Sequence, residues 1–220
     1  MILTTKQLFQ KAEAGGYAIG QFNVSTADQV KAIIDGSELP YEENVRQTKY
    51  VVDMCAHFSP DISVEGELGT LAGVSKIIKE KIEIKPEYYT DPKQALDFVT
   101  RTGVDRMAII IGNSHGISID EPELDIKRLK ESYDLLKGKA VIVLHGGSGI
   151  PDERIKAAIA NGIRKINVNT ELRAAFRDTL KAVLNQTDET TPYKYLPPAM
   201  DAITNIVDNK ITLFGSANKA

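Results

Sequence analysis

The chain has 220 residues, 27 Lys and Arg against 30 Asp and Glu, a net charge of −3 and no basic stripe, which argues against a nucleic-acid partner. With 42% hydrophobic and 26% charged residues it can fill one sizeable core, and no apolar run approaches the length needed to span a membrane. A single cysteine, Cys55, excludes an internal disulfide, and no apolar stretch follows Lys6 to make a signal peptide, so a reducing, cytoplasmic setting is expected.

In chain order, residues 17–22 spell a short strand ending at Asn23. A helix-like stretch, 27–34, runs straight into Asp35-Gly36-Ser37. Pro40 opens a helix over 41–58 with Val45, Val52, Cys55 and Ala56 on one face. Residues 62–67 form a strand with a polar end at Glu67. Residues 73–89 are rich in Lys and Glu with apolar positions at irregular spacing, which reads as a long mobile loop or lid. Asp91-Pro92 with Gln94 is a strong helix start, and that helix stops at Gly103. Then come a strand over 107–111, a helix over 125–136, a strand over 141–144 and a helix over 152–161 closed by Gly162. A strand over 165–168, a helix over 171–184 and, after Pro197-Pro198, a last helix carrying Met200, Ile203, Val207 and Ile211 complete the chain.

Strands alternating with amphipathic helices argue for a parallel sheet in one α/β domain over 1–220. Three successive strands end in small polar groups: Gly112-Asn-Ser-His115-Gly116, His145-Gly-Gly-Ser-Gly149 and Asn167-Val-Asn-Thr170. In a (β/α)₈ TIM barrel that end of the strands carries the active site, and the loops after the last two strands commonly hold a phosphate. A closed barrel needs eight strands and about 250 residues. Five clear strands and a remnant are readable here, so roughly two βα units are missing, with an apparent internal gap near 32–35.

Taken singly, these groups have plain structural explanations. A His after a strand is commonly a hydrogen-bonded loop residue, Gly146-Gly-Ser-Gly149 can be a turn, Glu67 a buried ion-pair partner, and Asp35-Gly36 a turn. His57 reads as a helix residue and Cys55 as a small core residue. Two histidines on neighbouring strand ends, each followed by Gly, favour a site, because Gly lets a ligand approach the backbone closely.

Together the segments resemble the class II, zinc-dependent ketose-bisphosphate aldolases, the fructose- and tagatose-bisphosphate enzymes. The matching stretches are Gly16-Tyr-Ala-Ile-Gly-Gln-Phe-Asn23, Asp35-Gly-Ser37, Pro40-Tyr-Glu-Glu-Asn44, Ser63-Val-Glu-Gly-Glu-Leu-Gly69, Gly112-Asn-Ser-His-Gly116, Val143-Leu-His-Gly-Gly-Ser-Gly149, Lys165-Ile-Asn-Val-Asn-Thr170 and Phe214-Gly-Ser-Ala-Asn-Lys-Ala220. The resemblance implies reversible cleavage of a ketose 1,6-bisphosphate to dihydroxyacetone phosphate and glyceraldehyde 3-phosphate with Zn²⁺ as cofactor, a glycolytic type of reaction in a homodimer or homotetramer. It assigns His115 and His145 to the zinc, and Glu67 and Asp35 to a second or alternative metal position. Asn23, Gly116, Gly146, Gly147, Ser148, Asn167, Val168, Asn169 and Thr170 fall on the substrate.

The departures are specific. The family's His-Leu-Asp-His type motif, source of the catalytic Asp and the third zinc histidine, has no counterpart here. Where the family's lid carries an acidic pair, Gly73 is followed by Val74-Ser75-Lys76, with Glu80 the nearest stand-in for a lid glutamate. Three readings follow: an aldolase, a catalytically inactive barrel fragment that retains sugar-phosphate and metal binding, and another barrel enzyme, such as an isomerase, on the same phosphate site. The metal histidines favour the first two. A class I mechanism would need a buried Schiff-base lysine, and Lys165, at the start of its strand, is expected at the wrong end of the barrel.

Overall fold

The computed structural model describes residues 4–22, 39–78, 82–118 and 123–219. Asn23, Asp35, Glu80 and the helix-like stretch 27–34 lie outside the described residues. The elements run α1 (Thr5–Gly15), β1 (Ile19–Phe22), α2 (Tyr41–Phe58), β2 (Glu65–Leu68), β3 (Gly73–Ile78), α3 (Pro92–Thr102), β4 (Arg106–Ile109), β5 (His115–Ser118) and α4 (Ile126–Leu136). Then follow β6 (Val141–Leu144), α5 (Asp152–Ala160), β7 (Ile163–Val168), α6 (Thr170–Leu184), α7 (Pro192–Tyr195) and α8 (Pro197–Leu213).

Local chemistry sets the helix ends. Asp91 caps α3 by accepting from the N–H groups of Lys93 and Gln94, Pro92 fills the first helical position, and Gly103 ends the helix in the left-handed region at φ 75°. Thr4 and Gln7 form a reciprocal capping box on α1. Glu42 and Glu43 sit in the first turn of α2, where the helix dipole favours negative charge.

Five strands form one parallel sheet in the order β1-β7-β6-β4-β2. The first strand pairs with the last, Phe22 opposite Val168, as in the closing seam of a barrel. Among the described residues the arc stays open between β1 and β2. This is a partial (β/α) barrel, with fewer strands than a closed one.

The core lies between this arc and the outer helices. Met107, Ile109, Ile142, Leu144, Ile163 and Ile166 on the strands meet Phe98 of α3, Leu129 of α4 and Ile155 of α5, all essentially solvent-free. α2 joins α3 through Tyr41 Oη donating to Asp97 at 2.6 Å and an Arg101–Glu42 ion pair at 2.6 Å.

Three expectations need correction. Residues 73–78 are a strand, not part of a structureless lid: β3 pairs in parallel with β5 in a separate two-stranded sheet, with a register shift between Gly73 and Ile77. That shift breaks the alternation by which a strand is read. Ala56 is exposed, because α2 turns Asn44, Val45 and Thr48 inward instead. Met200 of α8 is exposed as well, with Ala199 buried in its place.

Phe98 is fully buried, with its ring lying where a side chain on Gly66 of β2 would stand. Phe98→Ala is expected to destabilise the fold by about 3–5 kcal/mol, as core aromatic truncations do. Tyr193→Ala, at a 78% exposed position on α7, should stay within about 0.5 kcal/mol of wild type. Urea unfolding of the two variants separates them.

Candidate active site

Side chains of β2, β4 and β7, with His145 just after β6, meet in a cleft of about 290 Å³ lined by Gln21, Glu65, Glu67, Arg106, His145, Lys165 and Asn167, with Val51 and Cys55 of α2 on one wall; Glu65 and Arg106 open their strands, and His145 follows the end of its own. Glu65 and Glu67 are two apart on β2, so they share a face of the strand. His145 directly follows β6, and its ring reaches across to both: Nδ1 stands 3.2 Å from Glu67 Oε1 and Nε2 stands 2.8 Å from Glu65 Oε1. The other carboxylate oxygen of Glu65 accepts from Lys165 Nζ at 2.6 Å and from Arg106 Nε at 2.9 Å. Arg106 also donates to the Ser63 carbonyl at 3.1 Å.

The electrostatics follow from this geometry. Burial opposes the charge on His145, but its hydrogen bonds to the Glu65 and Glu67 carboxylates outweigh this and lift the imidazole to about 9. Burial likewise opposes charge on Glu65, and His145 and Lys165 overcome it, holding the carboxyl well below the usual range. At Lys165 burial prevails over the pull of Glu65 and lowers the ammonium. Lys165 and Arg106 are bonded to Glu65, and His145 stands between Glu65 and Glu67, so the charged groups of the cleft are paired.

Glu65, Arg106 and Lys165 were not picked out as site residues from the sequence. Lys165 needs a direct correction. β7 begins at Ile163, two residues earlier than the pattern suggests, so Lys165 sits in mid-strand and its side chain enters the interior beside His145. The signal that could have found Glu65 is its spacing from Glu67, which puts two carboxylates on one strand face.

The metal-ligand expectation meets an ion-pair cluster. His145 and Glu67 come together, and the two ring nitrogens of His145 are engaged by the carboxylates of Glu67 and Glu65. His115 is half-buried at the start of β5, its N–H donating to the Ala72 carbonyl at 2.8 Å, and is not among the residues lining the cleft. The two histidine loops do touch, the Asn113 side-chain amide donating from Nδ2 to the His145 carbonyl at 3.1 Å. Among the described residues no group of three or more His, Cys, Asp or Glu is arranged to hold a metal ion. A catalytic zinc wants three protein ligands and an open position, and the side chains as placed do not fit it.

The phosphate-type cradle has a tighter framework. Gly146 has φ 64° and lies against the next loop, so that a Cβ there would overlap the Ser114 carbonyl. Gly147 N–H donates to the Asn167 carbonyl at 2.9 Å, locking the loop after β6 onto the end of β7. Ser148 is buried, and its Oγ accepts from Asn169 N–H at 3.2 Å and Glu171 N–H at 3.5 Å. It thus caps α6 from another strand, since Asn169 makes no side-chain cap of its own. The first turn of α6, starting at Thr170, faces this loop with N–H groups that have no partner within the helix. Asn167 Oδ1 is buried without a hydrogen-bond partner among the described residues. Gly116, in β5, lies against the Val74 and Lys76 carbonyls, and a Cβ on Gly149 would meet Ile117 at 3.1 Å, so the two-stranded sheet packs over the loop.

A parallel α/β arc with its polar groups gathered at the strand ends, and a glycine loop locked to a helix N-terminus, is the active face of a barrel enzyme. Residues 32–219 match the family of class-II fructose-bisphosphate aldolases, and the chain belongs to that family. Among solved structures, the YdjI aldolase from Escherichia coli K12 matches with 27% identity and a TM-score of 0.78, over 100% of both chains. A putative fructose-1,6-biphosphate aldolase from Coccidioides immitis matches at 23% identity, TM-score 0.69, over 83% of this chain and 62% of that one. Fructose-bisphosphate aldolase from Campylobacter jejuni matches at 22%, TM-score 0.65, over 84% and 60%. The chain therefore spans about three fifths of the fungal and Campylobacter proteins, whose likeness concerns the fold. Family membership places it among the aldolases, the carbon–carbon lyases of carbohydrate metabolism.

Two substitutions test this geometry. Ser148→Ala should lower stability by about 1 kcal/mol, the usual size of a lost helix cap, and weaken phosphate binding, read by thermal unfolding with and without inorganic phosphate. Glu65→Gln leaves Lys165 and Arg106 without their shared carboxylate, and breaking a buried pair from one side costs about 3–5 kcal/mol. An unchanged urea midpoint for that variant would contradict the cluster's role.

Proposed function

We propose that the barrel is built for the class II aldolase reaction, the reversible cleavage of a ketose 1,6-bisphosphate to dihydroxyacetone phosphate and glyceraldehyde 3-phosphate, and that this chain keeps the phosphate-binding half of that machinery without the metal half. The observation that carries the reading is the locked pair of loops, 146–148 and 167–170, at the N-terminus of α6. Their backbone N–H groups supply partial positive charge to the phosphate of the dihydroxyacetone end without a lysine. Asn167 Oδ1, buried and without a partner among the described residues, is placed to accept from a substrate hydroxyl.

Cleavage between C3 and C4 leaves an enediolate that needs an electrophile, and the C4 hydroxyl must give its proton to a base. In this family zinc supplies the electrophile, and His115, His145, Glu67 and Asp35 are the groups assigned to the metal. In this chain His145 and Glu67 are engaged with each other and with Glu65. The third histidine and the family's Asp are missing from the sequence. Lys165, though buried in the same cleft, is held by Glu65, so a Schiff-base route is not favoured either. The second reading, an inactive barrel that retains sugar-phosphate and metal binding, gains weight from the missing Asp, while the cluster speaks against its metal part. A cytoplasmic homo-oligomer that takes fructose or tagatose bisphosphate is consistent with both.

The 220-residue protein is expected to bind dihydroxyacetone phosphate while cleaving fructose or tagatose 1,6-bisphosphate, with zinc added, far more slowly than an ordinary enzyme. Loss of a positioned acid–base group alone removes about 10²–10⁴-fold. Stoichiometric high-affinity zinc uptake in a competition with a chelating dye, or turnover in the range of about 1–10³ s⁻¹, would show that the metal half is intact. No detectable affinity for dihydroxyacetone phosphate would remove the binding half.

A further inference from the structure

Lys6, Phe9, Gln10, Glu13 and Ala14 fall at i, i+3, i+4, i+7 and i+8 of α1 and so share one face of the helix. That face lies across the N-terminal ends of β2, β4 and β6 without closing on them. A cavity of about 430 Å³ remains between it and Ser63, Asp105, Arg106 and residues 138–141. The volume falls in the range of small-molecule sites, about 300–1,000 Å³. It opens at the floor of the arc, away from the strand ends where barrel enzymes place their active sites.

The walls and the rim of this cavity differ. Phe9, Ala14, Ala140 and Val141 make apolar walls, and Arg106 lays its guanidinium over the Phe9 ring at 5.5 Å from the centroid. The two carboxylates that reach the cavity are engaged. Glu13 accepts from Tyr133 Oη at 2.5 Å and pairs with Arg164 at 3.4 Å, and Asp105 accepts from Val64 N–H at 2.9 Å. Lys6 and Lys139 are exposed at the rim, and their ammonium groups make no hydrogen bond or ion pair among the described residues. Apolar walls with two uncommitted ammonium groups at the mouth complement an anion with an apolar body. From Lys6 to Ala14 the helix advances about 12 Å, at about 1.5 Å per residue, enough for a chain of about eight carbons.

We propose that this floor cavity binds a small amphipathic carboxylate, and that its occupancy is felt at the Glu65 cluster through Arg106. Arg106 lines the floor cavity and the interior cleft alike. Its Nε donates to Glu65 at 2.9 Å and its Nη2 to the Ser63 carbonyl at 3.1 Å. Glu65 in turn holds Lys165 and His145. An apolar body entering beside Phe9 packs against the guanidinium and shifts the donor that Glu65 shares with these two residues. Floor and cleft are thus joined by contiguous contacts that pass through one side chain. The site uses none of the residues of the 146–148 and 167–170 loops and stands apart from their phosphate reading.

Octanoate serves as the probe and octanamide as its neutral counterpart. Calorimetry should show saturable binding of octanoate, about fivefold tighter than octanamide, the factor that an exposed ion pair of about 1 kcal/mol supplies. Ala14→Trp, at an exposed helix position, fills the cavity and should abolish binding of both probes. Lys6→Glu/Lys139→Glu, also at exposed positions, should keep octanamide binding and lose the preference for octanoate. Thermal unfolding midpoints close to wild type without probe confirm that both variants are folded. In spectra of protein with ¹⁵N-labelled histidine rings, octanoate should shift the His145 signals in wild type and leave them in place in Ala14→Trp. No saturable binding in wild type, binding that survives Ala14→Trp, or an octanoate preference that survives Lys6→Glu/Lys139→Glu would overturn the site. Binding that leaves the His145 signals unmoved would overturn the path through Arg106.

Discussion

The carboxylate of Glu65 is the point on which the interior depends. It stands on the edge strand β2 and is bonded to Arg106 on β4, His145 after β6 and Lys165 on β7. One side chain thus ties together strands that backbone hydrogen bonding joins only to nearest neighbours. Such charges are tolerated inside a protein only when each is paired and hydrogen-bonded, since desolvation of an isolated ion costs several kcal/mol. The arrangement explains why the cleft is polar while the opposite side of the same strands, toward the helices, is wholly apolar. It also explains why His145 is turned inward, away from the loop that its backbone shares with Asn113.

The binding loops rest on a different principle. Gly146, Gly147 and Ser148 are fixed by backbone contacts: the close approach to Ser114, the bond to the Asn167 carbonyl, and the cap on α6. None of these needs the missing part of the barrel. Parallel neighbours β6 and β7, with α6 following directly, form a unit whose contacts are mostly local in sequence. A framework of this kind holds N–H groups in place with little side-chain entropy to lose, which suits an anion that is recognised by geometry more than by charge.

Much of the architecture could be read directly from the residues because it is locally encoded. α3 is delimited by Asp91, Pro92 and Gly103, and β6 by an unbroken apolar run ending at a polar loop, so both come within a residue or two of their observed bounds. The loops at 146–148 and 167–170 were legible for the same reason. What escaped notice was set by partners distant in sequence. β3 exists because β5, some forty residues away, supplies its ladder, and its register shift hides the alternation. Lys165 read as a charge at the start of its strand and Arg106 drew no reading, until Glu65, 100 and 41 residues away respectively, brought them into one cluster. His145 stood out in the sequence from its position after a strand, but its ring is engaged by carboxylates that no local pattern reveals.

This difference in encoding bears on why binding and metal chemistry separate in the chain. A phosphate cradle made by two adjacent strand ends and one helix survives the absence of strands elsewhere in the arc. A catalytic metal needs side chains converging from several strands, three ligands and an acid–base group in one geometry, so it depends on more of the arc than the cradle does. His145 stands between Glu65 and Glu67, whose carboxylates raise its imidazole, so the cluster leaves little buried charge uncompensated. The glycine loops rest on their own backbone contacts and do not depend on that cluster.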